Sequence, residues 1–147
     1  MISPEVLRFY SLFADQSPEM LVKIANLAEE KKVAAGYQLF FEGEVAKDLF
    51  LIRDGAVILT MRMGEKTEEM EPLGKGEVIG WSSIVKPHLY KMGAYTSQKT
   101  HLVAFHGENL RDLFNQNPNF GYYFMQKLAE VIGDRLISKC VQMMSLV

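Results

Sequence analysis

Cysteine is almost absent from this chain, since Cys140 is the only one among its 147 residues. A single thiol allows neither an internal disulfide nor a zinc site built from several cysteines, and it is typical of proteins in a reducing compartment. No apolar run approaches the roughly 18 residues that a membrane span requires. The start, Met1 to Glu5, lacks the basic and apolar segments of a signal peptide. We therefore expect a cytoplasmic protein that does not associate with membranes.

The sequence also lacks an excess of positive charge and the motifs of catalysis. Its formal net charge is -2, whereas nucleic-acid-binding modules carry a clear basic excess. It contains no nucleophile elbow, Walker-type phosphate loop or dinucleotide fingerprint. His88, His101 and His106 do not have the spacing of a metal site or a haem attachment motif. These absences predict a non-enzymatic protein with no metal, no cofactor and no direct contact with DNA.

What is present is the composition of one ordinary globular domain, with 48% apolar and 23% charged residues. There is no internal repeat or interdomain linker, so we predict a single domain over residues 1–147. Ser3-Pro4-Glu5 and Ser17-Pro18-Glu19 each combine a capping hydroxyl, a proline and an acid, which indicates a helix start. We predict N-terminal helices over residues 3–32. The second should end near Lys31-Lys32, because cations suit a helix C-terminus.

Short strands separated by glycine-containing turns are predicted over residues 33–106. Asp54-Gly55 lies between two apolar runs, which is a strong signal for a hairpin. In the second run, every second residue from Val57 to Met63 is apolar, as in a strand with one buried face. Because no long helix interrupts these strands, the pattern favours an antiparallel sandwich or barrel.

Helical periodicity returns over residues 107–147. A short helix should follow Gly107 and stop before Asn117-Pro118, and a longer helix should run from about Asn119 to Val147. The long helix carries an apolar stripe, formed by Met125, Leu128, Ile132, Leu136, Met143 and Val147. We expect no DNA-binding domain to follow and cover this stripe. We therefore predict a homodimer built on the C-terminal helix.

The order of these elements and two sequence runs resemble one known family. AGYQLFFEGE at 35–44 and DLFLIRDGAV at 48–57 are similar to the first strands of the cyclic-nucleotide-binding domain of catabolite activators, Fnr-type sensors and protein-kinase regulatory subunits. The resemblance covers nearly the whole chain. It implies a mainly β fold, an antiparallel double-stranded β-helix or jelly roll of eight strands over 33–106, with helices at both ends.

Residues 76–94 resemble the phosphate-binding cassette of this family, through GEVIGWSSIV at 76–85 and KMGA at 91–94. The resemblance assigns ligand binding to Gly80, Trp81, Ser82, Ser83, Lys91, Met92 and Gly93. A short helix beginning near Trp81 would direct the amides of Ser82 and Ser83 towards an anion. Lys91, on the following strand, would supply the counter-charge, and Gly93 would leave room beside it.

Two cassette positions depart from the family pattern. Trp81 stands where the family carries a glutamate that accepts from the ribose 2′-hydroxyl, and an indole offers only a donor. Lys91 stands where the family carries an arginine that grips two phosphate oxygens. We therefore predict that cAMP binds weakly or not at all, while the cassette still favours an anion. Trp81 either fills the place of a lost ligand or stacks on a ligand.

Two hypotheses of function follow from the resemblance. The first is a signal-transduction module that senses a cyclic nucleotide or another small anionic ligand and signals through its C-terminal helix to an unidentified output protein. Arg135 on that helix is a candidate lid over the ligand, with a solvated or intersubunit position as the alternative. The second hypothesis is a degenerate domain that binds no ligand and acts as a dimerisation or docking module.

Overall fold

Two short helical segments precede the strands in the computed structural model, which describes residues 2–145. Residues Pro4–Phe9 form a 3-10 helix, and helix α1 spans Pro18–Ala25. At the start of α1 the Ser17 hydroxyl oxygen accepts a hydrogen bond from the Met20 amide at 3.1 Å, as its predicted capping role requires. A helix of 8 residues is too short to be stable by itself, so its buried apolar face must hold it in place.

The second helix ends earlier than predicted, and a strand takes its place. Helix α1 stops at Ala25 and strand β1 runs over Ala28–Val33, so the predictions of a helix as far as Lys31-Lys32 and of helices throughout 3–32 are wrong. Strand β1 pairs antiparallel with strand β8 (Thr100–His106) along its whole length. These distant backbone hydrogen bonds outweigh the local helix preference of Glu and Lys. The barrel therefore begins at residue 28 and not at 33.

Within residues 2–145, eight strands form two four-stranded antiparallel sheets, which confirms the predicted fold class. The other strands are β2 (Gln38–Phe40), β3 (Asp48–Asp54), β4 (Val57–Met63), β5 (Lys66–Glu69), β6 (Val78–Ile79) and β7 (Gly93–Thr96). One sheet has the order β1-β8-β3-β6 and the other has the order β2-β7-β4-β5. Consecutive strands thus lie in different sheets, as expected of a jelly roll, except for β4 and β5, which pair with each other.

Asp54-Gly55 joins strands of different sheets and not the two strands of a hairpin. Strand β3 pairs with β6 and β8, whereas β4 pairs with β5 and β7, so the hairpin prediction at this turn is wrong. Gly55 is needed there for another reason. Its φ is +98°, and a Cβ would lie 2.6 Å from the carbonyl oxygen of Lys99. The chain crosses between the sheets where there is no room for a side chain.

Two apolar cores lie on opposite faces of the sheet β1-β8-β3-β6. The helix-side core packs this sheet against the helices and includes Leu7, Phe13, Leu21, Leu49, Leu51, Phe105, Phe120, Phe124 and Leu128. The barrel core lies between the two sheets and includes Phe40, Phe50, Ile52, Val57, Leu59, Ile79, Tyr90, Ala94 and Leu102. Successive residues of β3 enter opposite cores, which explains why this strand is a nearly continuous apolar run.

Helices α2 (Gly107–Gln116) and α3 (Pro118–Ser145) close the fold near their predicted positions. The predicted stripe of α3 is divided between two environments, because Leu128 and Ile132 pack on the helix-side core. The later apolar side chains are exposed, namely Leu136, Ile137, Val141, Met143 and Met144. Val147 of the predicted stripe lies outside the described residues. Within residues 2–145, no helix combines the length and apolar character needed to cross a membrane.

Candidate functional site

A sharp turn at Gly80 shapes the predicted cassette. Gly80 has a φ of +82°, and a Cβ there would lie 2.6 Å from the carbonyl oxygen of Asp48 on β3. Both the left-handed backbone and this close approach favour glycine. Residues Trp81–Ser83 then form one 3-10 turn. The cassette is therefore fixed directly against the backbone of β3.

Ser83 stabilises this turn and does not face a ligand. Its side chain is buried, its hydroxyl donates to the Gly80 carbonyl oxygen at 2.8 Å, and its amide donates to the same oxygen at 3.1 Å. The prediction that the Ser83 amide is free to bind an anion is therefore wrong. In a single 3-10 turn the amide of the third residue after the first carbonyl closes the turn, and here that amide belongs to Ser83.

A cavity of about 100 Å³, named here the cassette cavity, lies between the cassette, the barrel core and α3. Its walls contain the predicted residues Gly80, Trp81, Ser82, Lys91 and Met92, together with the predicted lid, Arg135. Four residues that sequence reasoning missed complete the walls, namely Phe40, Leu59, Ile79 and Tyr90. Within the described residues, the charged groups of the walls are two cations and no acid. The cavity is thus apolar, with positive charge on one side.

Gly93 lies outside this cavity. Strand β7 begins at Gly93, so Lys91 precedes the strand and does not share its alternation. Ala94 enters the barrel core, and Gly93 therefore faces the outer side of the sheet. A Cβ at Gly93 would lie 2.7 Å from Oγ1 of Thr60 on β4. The prediction that Gly93 makes room beside Lys91 is wrong, because this glycine allows β7 to approach β4.

Arg135 closes the cassette cavity from α3. Its guanidinium lies 4.8 Å from the centroid of the Trp81 ring, within the range of a cation–π contact. Nη2 donates to Oε2 of Glu77 at 2.8 Å and to the carbonyl oxygen of Val78 at 2.9 Å. The side chain is only 15% exposed. Arg135 therefore lies where the lid interpretation requires, and it joins α3 to the start of β6 and to Trp81 of the cassette.

Tyr90 and Phe40 form the inner wall of the cavity. Their rings are stacked, with centroids 3.7 Å apart. The Tyr90 hydroxyl donates to the Asp48 carbonyl oxygen at 2.8 Å and accepts from the Asp48 amide at 3.0 Å. Burial, as the largest cause, raises the pKa of Tyr90 to about 12. In the sequence, Tyr90 stands directly before Lys91, and this was the signal that could have placed it in the site. An aromatic residue next to a turn is too common, however, to identify a site.

The three histidines do not form a metal site. Nε2 of His101 lies 3.1 Å from Oε1 of Glu30, and Nδ1 of His106 lies 2.8 Å from Oδ1 of Asp48. Within residues 2–145, no group of three or more His, Cys, Asp or Glu side chains is arranged to hold a metal ion. Cys140 lies half-buried on α3.

The cassette, the jelly roll and the closing helix together match one known family. The family described as "Cyclic nucleotide-binding domain" matches residues 30–117, more than half of the chain. The chain belongs to this family. Membership of this family explains the jelly-roll fold with its flanking helices.

Solved structures of cyclic nucleotide-binding domains superimpose on this one. A Geobacter metallireducens protein described as a cyclic nucleotide-binding protein is 32% identical, with a TM-score of 0.84, covering 92% of this chain and 99% of its own. A cyclic nucleotide-binding domain from Methylobacillus flagellatus has a TM-score of 0.84 at 19% identity, covering 97% and 81% of the two chains. The catabolite activator protein of Thermus thermophilus has a TM-score of 0.72 at 23% identity, covering 98% of this chain and 63% of its own. The last two share the fold. No curated protein matches the chain significantly.

Proposed function

We propose that this domain is a non-enzymatic sensor that binds a cyclic nucleotide or another small anionic ligand in the cassette cavity and signals through α3. Domains of this family are regulatory and not catalytic. The observation that carries the proposal is the position of Arg135, which belongs to α3 and also forms part of the cavity wall. One side chain thus connects the binding site to the element that would report its occupancy.

The size of the cavity links ligand entry to movement of α3. A volume of about 100 Å³ is below the roughly 300–1,000 Å³ of typical ligand sites. A ligand of nucleotide size must therefore open the contact between Arg135 and Trp81. Because Arg135 belongs to α3, opening this contact changes how the helix is held on the barrel. A ligand that binds the open arrangement better shifts the population towards it.

The walls favour a ligand with an apolar body and an anionic head. Trp81, Phe40 and Tyr90 supply aromatic surface, and Lys91 and Arg135 supply positive charge. The walls offer no carboxylate to accept from a ribose hydroxyl, and losing one charged hydrogen bond costs about 1.5–3 kcal/mol, or roughly one to two decades of affinity. We therefore expect cAMP to bind more weakly than an anion whose remaining surface is apolar.

The only tryptophan of the chain provides the test, because Trp81 lies beneath Arg135. Its fluorescence should change when a ligand opens the lid, and calorimetry on the same samples gives the affinity. The ligands are cAMP, cGMP and AMP, together with aromatic and aliphatic carboxylates, and neutral adenosine is the uncharged control. We expect at least one anion to bind and to alter Trp81 fluorescence, and we expect adenosine to do neither.

Lys91→Ala should weaken the binding of that anion by about tenfold or more, because it removes a charged partner. Lys66→Ala is the matched control, since Lys66 is an exposed lysine on β5. Equal affinities in the two variants would contradict the assignment of Lys91. If no ligand of the series binds or changes Trp81 fluorescence, the degenerate, non-binding domain is the better explanation.

A homodimer through the later part of α3 is the second proposal, and its support is independent. Leu136, Ile137, Val141, Met143 and Met144 are between 61% and 75% exposed. Such an apolar surface on a helix is suited to burial against a second copy, because a two-fold axis brings the same surface together. We expect a dimer by light scattering at tens of micromolar, and a monomer for Ile137→Asp. Val22→Asp, at an exposed apolar position of α1, should remain dimeric.

A further inference from the structure

A second concave surface, named here the basic pocket, lies beside the barrel and has a volume of about 530 Å³. Its walls include Lys47, His88, His106, Glu108, Asn109 and Arg111. Lys47 belongs to the β2–β3 loop, His88 to the loop before β7 and His106 to the end of β8, and the remaining residues belong to the start of α2. None of them lines the cassette cavity, so the basic pocket is a separate site.

The cations of the basic pocket lack acidic partners. The ion pairs found within residues 2–145 involve neither Lys47 nor Arg111. Nε of Arg111 is buried and has no hydrogen-bond partner within the same residues. A buried donor without an acceptor is destabilising, and such groups in native proteins call for an explanation. Because Arg111 lines the pocket, an anion there would lie beside a guanidinium that forms no ion pair within the described residues.

The acids near the pocket oppose an anion only in part. Oδ1 of Asp48 lies 2.8 Å from Nδ1 of His106 and is therefore engaged already. Glu108 lines the pocket, but it is exposed and lies in the first turn of α2, where a helix favours an acid. The side chain of His106, at the N-cap of α2, makes no capping hydrogen bond. Lys47 and Arg111 are therefore the cations that remain to meet an anion, and Glu108 is the acid of the walls that opposes one.

We propose that the basic pocket binds a phosphate group, either of a free metabolite or of a phosphorylated residue on a partner protein. A phosphate carries up to two negative charges and several acceptor oxygens, so it can engage Lys47 and Arg111 together, whereas a carboxylate has one charge. The arginine fork is suited to two of these oxygens and the lysine to a third. This proposal does not depend on ligand binding in the cassette cavity.

Titration of the protein with inorganic phosphate, followed by NMR of the backbone amides, tests the proposal. We expect saturable shifts confined to residues 45–47, 88 and 106–111. Lys47→Ala and Arg111→Gln should each weaken binding by about tenfold, whereas Glu108→Gln should strengthen it, because it removes the opposing charge. Lys23→Ala, at an exposed lysine of α1, is the control and should bind phosphate normally. Circular dichroism of each variant checks that the fold is kept.

The source of the phosphate is distinguished by a phosphoserine peptide and its unphosphorylated counterpart. A phosphopeptide that binds at least tenfold more tightly than inorganic phosphate indicates a partner protein, and equal affinities indicate a small metabolite. The proposal is overturned if phosphate causes no shifts at the basic pocket, or if Lys47→Ala and Arg111→Gln both bind like the control. It is also overturned if phosphate shifts only residues around Lys91.

Discussion

The two apolar cores of this domain share a sheet but differ in how they are filled. The helix-side core is closed by aromatic contacts, with Phe13, Phe120 and Phe124 packed in one group at centroid separations of 5.8 to 6.2 Å. The barrel core is interrupted on one side by the cassette cavity, whose walls include Tyr90 and a cation from α3. The comparison indicates that the helix-side core is the more completely packed of the two, and that the barrel core leaves space beside the cassette.

The largest effect should come from Phe124→Ala in the helix-side core. Phe124 is fully buried, and removing such a ring typically costs about 3–5 kcal/mol. Met92→Ala, at a half-buried position of the cassette cavity, should cost about 1 kcal/mol or less, because the cavity already leaves part of the side chain unpacked. Urea unfolding measures both free energies. Similar losses in the two variants would contradict the contrast between the cores.

Alkaline pH should weaken the barrel core through Tyr90. Its pKa is about 12 in the folded protein against 10.0 ordinarily. The neutral hydroxyl is thus favoured by folding, so its contribution is complete below pH 10 and is lost as the pH rises to 12. The free energy of unfolding should therefore fall as the pH rises through this range.

Tyr90→Phe provides the matched variant for this pH dependence. It should be less stable at neutral pH, since the Asp48 backbone loses a partner, but its stability should fall less between pH 10 and 12. Urea unfolding at a series of pH values makes the comparison. Parallel curves for the variant and the unmodified protein would mean that another group is responsible.

Arg135→Ala should have a smaller effect on stability, because it affects the connection between α3 and the cassette and neither core directly. The loss of the contact with Trp81 and of two hydrogen bonds should cost about 1–2 kcal/mol. Trp81 fluorescence should change even without ligand. Arg135→Lys keeps the charge but loses the planar contact, so it should give an intermediate fluorescence. A spectrum identical to that of the unmodified protein would show that Arg135 does not cover Trp81 in solution.

The smallest effect is expected for Met143→Ala, which touches neither core. Its side chain is 68% exposed, and such surface substitutions usually change stability by less than about 0.5 kcal/mol. Unfolding should be measured at low protein concentration, where a dimer contributes little. A loss above 1 kcal/mol under these conditions would place Met143 in a packed environment of the single chain.

Much of the fold could be predicted because its signals are local. Pro4 and Pro18 indicated the helix starts, and glycines indicated the turns between strands. Ser17 caps α1 as predicted, whereas the predicted capping role of Ser3 is wrong, because its side chain makes no capping hydrogen bond. Strand β1 was missed because Ala28–Val33 contains mostly Glu and Lys, and its partner β8 lies far along the chain. Asp54-Gly55 was assigned to a hairpin because the sequence does not reveal which sheet receives the next strand.

The residues of the cassette cavity could be predicted where their spacing along the sequence was sufficient to identify them. Trp81 and Lys91 lie on the same cavity, as the cassette spacing indicated. Phe40 was missed because its contact with Tyr90 joins distant parts of the chain. Gly93 was misassigned because the first residue of β7, and hence the face of each residue, depends on pairing with β4. Ligand binding, the homodimer and the cytoplasmic location stay predictions.

The cassette and the start of α2 are in direct contact at Gly107 and Ser83. A Cβ at position 107 would lie 2.3 Å from the Ser83 carbonyl oxygen, so there is no room for a side chain between the two backbone segments. The Gly107 amide also donates to the Lys47 carbonyl oxygen at 2.8 Å. Side chains absorb small displacements by changing rotamer, but two backbones in contact have no such compliance. The cassette turn and the first turn of α2 therefore cannot come closer together unless one of the two backbones moves.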